Sequence, residues 1–137
     1  MRLPEVALAN DDGDVVCENC LLAETAPARL RGLLGRSSLP SGEGILLQPA
    51  SSIHTAFMRF AIDAVFVDRE NRIVKVVADL RPWRMAASKG ARAVLELPAG
   101  EAAKQGLRPG VSLTQVWRSA PGSNPARPPR PASARPS

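Results

Sequence analysis

The stretch SSIHTAFMRFAID, residues 51–63, contains the only histidine of the chain, His54, and ends at Asp63. A carboxylate beside an imidazole fixes its tautomer and can prepare it to act as a general base. Along one continuous strand the two side chains would be separated by about 30 Å. A turn at residues 59–62 could bring them together, and we predict that they lie within hydrogen-bonding reach, directly or through one water. Two interpretations stay open: a structural core histidine, and a functional polar cluster that includes Thr55.

Other residue types with chemical potential lack the partners that their chemistry needs. Ser51 and Ser52 lie near His54, but no G-x-S-x-G segment is present to build a nucleophile elbow. The pair Cys17 and Cys20 forms a C-x-x-C motif without a second half, so it does not specify a zinc site. On a predicted strand these cysteines would also point to opposite faces. We therefore expect structural thiols, no redox pair, no metal and no cofactor.

Arginines beside an aromatic residue suggest a site for anions. The segment LRPWRMAASKGAR, residues 80–92, places Arg84 directly after Trp83. Basic and aromatic side chains together can bind phosphates or bases. Arg36 and Arg59 are further candidates for the rim of such a site. The alternative is a solvated loop around a tryptophan that covers one end of the core.

The elements that must position these residues are mostly strands. Apolar or β-branched segments bounded by turn residues predict strands at 15–23, 44–48, 53–58, 64–68, 72–80, 91–97 and 111–117. The segment 53–58 is apolar on both faces, which favours a central strand. A helix is predicted over 25–36, where Thr25 is a suitable N-cap, and a shorter one within 98–110. The pattern indicates a mainly β (α+β) fold, a small barrel- or sandwich-like domain with two short helices.

Composition indicates one folded domain followed by a disordered tail. The chain has 137 residues, of which 45% are hydrophobic and only 4% aromatic. We expect a single domain over 1–118 and a disordered Pro/Arg-rich tail over 119–137. Three arginines of the tail contribute to the net charge of +5, which leaves +2 for the first 118 residues. This near balance argues against specific nucleic-acid binding.

The beginning of the chain and its apolar runs bear on localisation. The first residues contain acids early and lack the apolar region of a signal peptide. No apolar run approaches the ~18 residues that a membrane span requires. We therefore predict a cytoplasmic protein without a membrane span.

Four ordered motifs resemble those of the domain of unknown function 192 family. They are an R-x-x-G-L-L-G-R segment that ends at Arg36, GEGILL over 42–47, a core that runs from His54 to Asp68, and a segment from Val94 to Gly110. The resemblance covers nearly all of residues 15–117. It implies a small, mainly β, roughly barrel-like domain and implies no activity. Because the core motif contains them together, it also implies that His54, Thr55, Met58 and Asp63 form one unit.

Three functions remain in competition at this point. The first is a small ligand-binding module for a polar or anionic ligand. Its candidate residues are His54, Thr55, Asp63, Arg36, Arg59 and Arg84. The second is an enzyme that uses His54 as general base, oriented by Asp63. The third is a structural or assembly partner in a larger complex, with the tail as a flexible arm for a protein partner.

Overall fold

The structure, a computed structural model, describes residues 3–25, 27 and 36–119. Within these ranges nine strands and one short helix follow one another along the chain. They are β1 (Glu5–Ala9), β2 (Val15–Ala23), β3 (Glu43–Leu47), β4 (Ser52–His54), β5 (Ile62–Val67), β6 (Ile73–Leu80), β7 (Met85–Ala87), β8 (Ala93–Pro98), helix α1 (Glu101–Lys104) and β9 (Thr114–Ser119). No helix among the described residues is long and apolar enough to cross a membrane.

Seven strands form one large sheet in the order β6-β5-β8-β3-β2-β1-β9. β2 and β3 are parallel, and the other neighbours are antiparallel. The sheet stays open, with β6 and β9 as its edges. An isolated bridge between Arg72 and Ser112 joins the segments that precede these two strands. The prediction of a mainly β fold is confirmed; the sandwich-like description fits it, and the barrel does not.

The core lies on both faces of the large sheet. Neighbouring residues of a strand alternate between two apolar clusters, as the period of two requires. On β5, Val65 and Val67 belong to the first cluster, and Ala64 and Phe66 to the second. All six residues of β5 are buried. This strand therefore has core on each side, although its neighbour β6 is an edge of the sheet.

Different small elements cover the two faces. Helix α1 and the residues after it cover the first cluster through Ala102 and Leu107. β4 and β7 form a separate two-stranded ribbon that covers the second cluster through Ile53 and, in part, Ala86. The other face of the ribbon, which carries His54 and Met85, is exposed to solvent.

Several elements of the structure differ from those predicted from the sequence. The predicted strand 53–58 is wrong beyond His54, because the chain turns there and Phe57 adopts a left-handed φ of 67°. β1 and β7 had no sequence prediction. Most of the predicted helix 25–36 lies outside the described residues. β9 continues to Ser119, one residue past the expected end of the domain, and residues 120–137 lie outside the described ranges.

Candidate functional site

Asp63 serves as an internal anchor of the backbone. It lies in β5 and is fully buried. Its Oδ1 accepts the backbone N–H of Asp79 at 2.9 Å, and its Oδ2 accepts the N–H groups of Gly100 at 3.0 Å and Ala102 at 2.9 Å. Hydrogen bonds to a carboxylate are stronger than those to a neutral acceptor. One side chain thus fixes the end of β6 and the start of α1 to the buried strand β5.

His54, in contrast, lies at the surface. It ends β4 and is exposed, and its Nδ1 accepts the N–H of Ala56 at a long 3.4 Å. The predicted pair with Asp63 is wrong, as is the predicted central strand around His54. Asp63 projects to the face of β5 that carries α1, whereas the ribbon that carries His54 packs on the opposite face. The polar partners that each residue requires are supplied instead by backbone N–H groups and by solvent.

Thr55 fastens two loops together. Its buried Oγ1 donates to the carbonyl of Arg81 at 2.6 Å and accepts the N–H of Arg84 at 2.8 Å. Its backbone N–H donates to the carbonyl of Arg84 at 2.9 Å. Its carbonyl accepts N–H groups from Met58 at 3.2 Å and Trp83 at 3.0 Å. Thr55 therefore fixes the loop that follows β4 against the loop that precedes β7.

These two loops present large apolar side chains to solvent. The rings of Phe57 and Trp83 lie 4.8 Å apart between centroids and are tilted by 60°. Phe57 is 68% exposed, Trp83 61% and Met85 74%. We call these three residues the apolar platform. Met85 pairs with His54 across the ribbon, so the platform continues onto its solvent face.

The backbone of the platform is strained. Phe57 and Trp83 have φ angles of 67° and 63°, a left-handed conformation that costs a non-glycine residue about 1–2 kcal/mol. Such conformations persist only where the surrounding contacts enforce them, and here the hydrogen bonds of Thr55 do so. Strain of this kind concentrates at functional sites. Sequence reasoning identified Trp83 but missed Phe57 and Met85. Because the sequence has few aromatic residues, each one could have been considered as a candidate, and this would have identified Phe57.

The candidate arginines divide between two places. Arg59 is exposed just after Met58 in the first platform loop. Arg84 is exposed beside Trp83, and its Nη1 donates to the Trp83 carbonyl at 3.3 Å. Arg36 instead forms an ion pair with Glu43 at the start of β3, with 2.9 Å between Nη2 and Oε1. The structure thus groups Thr55, His54, Arg59 and Arg84 around the platform.

The platform also lies in the most basic part of the described chain. Residues 51–62 and 80–92, which form the ribbon and its loops, contain no acid. They contain five exposed basic residues, which we call the basic set: Arg59, Arg81, Arg84, Lys89 and Arg92. These charges exceed the whole net charge of +2 of the first 118 residues. Arg81 lies 3.6 Å from Asp79, which partly offsets its charge.

Two cavities lined by described residues lie away from the platform. One, of about 170 Å³, has walls from both ends of the large sheet: Leu8, Leu46, Gln48, Val67, Asn71, Ala93, Leu113 and Gln115. The other, of about 270 Å³, is an open cleft beside α1: Val15, Val16, Glu18, Ser41, Gly42, Glu101 and Gln105. Neither contains a candidate residue predicted from the sequence. In the cleft, Glu101 accepts hydrogen bonds from Ser41 at 3.1 Å and Gln105 at 2.9 Å.

Cys17 and Cys20 face the same core cluster, contrary to the prediction that they point to opposite faces. The register pairs Val6 with Cys20 and Leu8 with Cys17, so three steps on β2 match two on β1. This β-bulge turns both thiols inward. Both are free and buried. Burial, reinforced by a hydrogen bond with Cys17, raises the pKa of Cys20 well above its usual value and keeps it a thiol.

Comparison with known proteins shows which family and which solved structures this chain is similar to. A family model, domain of unknown function 192, described as "Uncharacterized ACR", matches residues 7–115. A Novosphingobium aromaticivorans protein of unknown function is 25% identical, with a TM-score of 0.68 over 80% of this chain and 83% of its own. A candidate transcription regulator of Sinorhizobium meliloti is 22% identical, with a TM-score of 0.71 over 83% of this chain and 95% of its own, and shares the fold. No curated protein matches this sequence.

Proposed function

The chain belongs to the domain of unknown function 192 family, and we propose that it is a binding module that holds an anionic partner on the apolar platform. The observation that carries this proposal is the exposed contact between Phe57 and Trp83. The chain has only three phenylalanines and two tryptophans. Two of these five aromatic residues lie together on one exposed patch. Both of them also have a strained, left-handed backbone conformation.

The extent of the exposed apolar surface supports a binding role. An aromatic side chain presents about 150–250 Å². At the exposures of Phe57 and Trp83, the two rings leave on the order of 200–300 Å² in water, and Met85 adds to it. With Met85 included, the patch reaches the size of the largest apolar patch on a typical monomer, roughly 300–600 Å², and such patches are often functional. Single exposed apolar residues such as Val116 carry no such meaning.

The charge around the platform supports an anionic partner. Arg59 and Arg84 flank the rings, and His54 lies beside Met85 across the ribbon. Aromatic and arginine side chains together recognise groups that combine negative charge with an apolar part. The sequence predicted a small polar or anionic ligand near Asp63. We keep the anionic ligand in the proposal and place its site on the surface around the platform.

The geometry gives less support to an enzyme. A general base needs a group that orients it, and Asp63 gives both of its oxygens to backbone N–H groups. Among the described residues, no group of three or more His, Cys, Asp or Glu side chains is arranged to hold a metal ion. Neither cavity lined by described residues includes His54. Binding on an open surface accounts for these features more simply.

A soluble probe that is both flat and anionic tests the proposal. We expect 8-anilinonaphthalene-1-sulfonate to bind the folded, isotopically labelled protein, with amide shifts in NMR spectra concentrated at residues 54–59 and 81–86. Trp83→Ala should weaken this binding about tenfold, because covering about 60 Å² of the exposed indole contributes about 1.4 kcal/mol. Val116→Ala, an exposed apolar change on β9, is the matched control and should leave it unchanged.

The distribution of the shifts decides the outcome. Shifts confined to the cavity walls near Leu46 and Leu113, or to the cleft near Glu101, would move the site away from the platform. Equal affinity in the Trp83→Ala and Val116→Ala variants would also contradict the proposal.

A further inference from the structure

Resting on the proposed function, we propose that the partner of the apolar platform is the surface of an anionic lipid bilayer. The protein would lie on the bilayer, with the two platform loops inserted at the level of the headgroups. Three features of the molecule lead to this partner: the shape of the platform, the orientation of its rings, and the placement of its charges.

The shape of the site favours a broad, deformable partner. Phe57 and Trp83 project from two adjacent loops, and Met85 projects from the solvent face of the ribbon. All three side chains are more than half exposed, and none of them lines either of the two cavities formed by described residues. A small ligand lying on them would keep most of its own surface in water, whereas pockets bury most of theirs. A bilayer interface can surround projecting side chains on every side.

The types of the exposed residues suit the bilayer interface. Tryptophan is enriched at the level of lipid headgroups, because its ring combines an apolar body with one N–H donor. Phenylalanine and methionine add purely apolar surface, as on the apolar face of interfacial segments. The side chain of Met85 is unbranched and flexible and can adapt to irregular surroundings.

The orientation of the rings argues against nucleic acid as the partner. Bases stack on free ring faces, and successive bases require successive faces. Here the two rings tilt at 60° and contact one another at 4.8 Å, so each shields part of the other. Met85, the most exposed residue of the platform, offers no ring at all. The platform is therefore better suited to inserting apolar side chains into a bilayer than to stacking against bases.

The basic set supplies the long-range attraction. Arg59 and Arg84 occupy the two platform loops, and Lys89 and Arg92 follow the end of β7. Each basic residue near an anionic membrane contributes about 1 kcal/mol, which corresponds to roughly fivefold in affinity. Binding to a membrane surface increases with the apolar area that is buried and with the electrostatic attraction to anionic lipids, and this face offers both.

The rigid base of the platform lowers the cost in conformational entropy of inserting the two loops. Thr55 fixes both loops through its backbone and its hydroxyl, and Asp63 fixes Asp79 just upstream of the second loop. Loops held in this way lose little conformational freedom when they bind. The left-handed backbone of Phe57 and Trp83 aims the two rings outward before any partner arrives.

Vesicle binding by the full chain tests the inference. We expect the protein to bind vesicles of phosphatidylcholine mixed with phosphatidylglycerol, and to bind pure phosphatidylcholine vesicles much more weakly. In a Trp117→Phe background the emission of Trp83 should shift to the blue, and lipids with brominated chains should quench it. Glycerol 3-phosphate, the free headgroup, should cause neither change.

Variants assign the binding to the platform. The double change Arg59→Gln/Arg84→Gln should lower the affinity about 30-fold, at roughly fivefold per residue. Lys104→Gln/Arg108→Gln removes two exposed charges on the α1 side and should change it far less. Phe57→Ala should abolish the binding that remains at high salt. Equal loss in both double variants would show that only net charge acts, for instance through the tail arginines, and would overturn the inference.

The two proposals can fail separately. If the flat anionic probe binds at the platform but vesicles do not, the binding module stands and the lipid partner falls. If single-stranded oligonucleotides bind at the platform more tightly than vesicles, the partner is nucleic acid and the lipid inference falls again. If Trp83→Ala changes neither the affinity for the probe nor the affinity for vesicles, both proposals are overturned.

Discussion

Thr55 and Arg84 are joined by two reciprocal hydrogen bonds. The N–H of Thr55 donates to the Arg84 carbonyl at 2.9 Å, and the N–H of Arg84 donates to the Thr55 Oγ1 at 2.8 Å. The same hydroxyl donates to the carbonyl of Arg81 at 2.6 Å. The conformation of both platform loops thus depends on one buried side chain, that of Thr55.

Thr55→Val should be costly, although it preserves the shape of the side chain. It leaves the N–H of Arg84 and the carbonyl of Arg81 without their partner, and each orphaned group costs about 1–3 kcal/mol. We expect a loss of about 2–4 kcal/mol in the free energy of unfolding, measured by urea denaturation. Thr114→Val, at an exposed position of β9, is the control and should stay within about 0.5 kcal/mol. A similar effect in both variants would contradict the role of the hydroxyl.

Mutation of Asp63 should lower stability much more than mutation of His54. Asp63→Asn replaces one acceptor oxygen by an NH₂ group, which would face a backbone N–H, so we expect a loss of about 2–3 kcal/mol. His54→Ala removes an exposed ring whose one hydrogen bond is long, and should change stability by less than about 0.5 kcal/mol. Thermal denaturation of both variants distinguishes them. A large loss for His54→Ala would show that the histidine has a structural role after all.

Gly44 lies where no side chain fits. A Cβ at this position would approach the carbonyl oxygen of Glu96 to 2.8 Å and the Sγ of Cys17 to 3.0 Å. Gly44→Ala must therefore push β3 away from β8, and we expect a loss of more than about 2 kcal/mol. Gly90→Ala is the matched control, because a Cβ there meets nothing within 4 Å. Circular dichroism during urea unfolding gives both values, and equal stability of the two variants would be inconsistent with this packing.

The raised pKa of Cys20 predicts how stability depends on pH. The folded state holds the thiol proton more tightly than the unfolded state, whose cysteines ionise near pH 8.5. The contribution of this thiol is therefore complete below that pH and is lost as the pH rises towards the folded-state pKa. The chain has no tyrosine to mask the effect. Urea unfolding between about pH 8 and 10 should show a steeper fall for the wild type than for Cys20→Ala; parallel curves would refute the assignment.

Removal of residues 120–137 should leave the fold intact. The segment is rich in Pro, Ser, Ala and Arg and nearly free of large apolar residues, so it has little to bury. A chain that ends at Ser119 keeps all of β9. We expect its melting temperature to stay within about 2 °C of that of the full chain. A drop of many degrees would show that the tail packs on the domain.

The sequence by itself determined the family and the main strands. β2 was predicted at its observed bounds, and β5 and β8 nearly so, because buried strands bear the apolar residues that burial requires. β6 was also predicted nearly at its bounds, although only its two end residues are buried, because it is rich in β-branched valine and isoleucine. Trp83 and Arg84 were likewise identified from local composition. The motif that groups His54 and Thr55 with Asp63 reflects a shared scaffold, since Thr55 and Asp63 hold the same segment from Asp79 to Arg84 at two points.

Only the tertiary structure decided which of these residues meet solvent. The three groups that Asp63 binds are backbone N–H groups 16 to 39 residues away. Almost every residue type carries a backbone N–H, so the sequence does not show which of them Asp63 binds. The exposure of His54 depends on β7, whose three residues are too few to show a period. Cys17 and Cys20 share a face because of a bulge, and a one-residue insertion in a ladder reverses every side-chain direction beyond it. Long-range pairing therefore moved the candidate site from a buried polar pair to an exposed apolar surface.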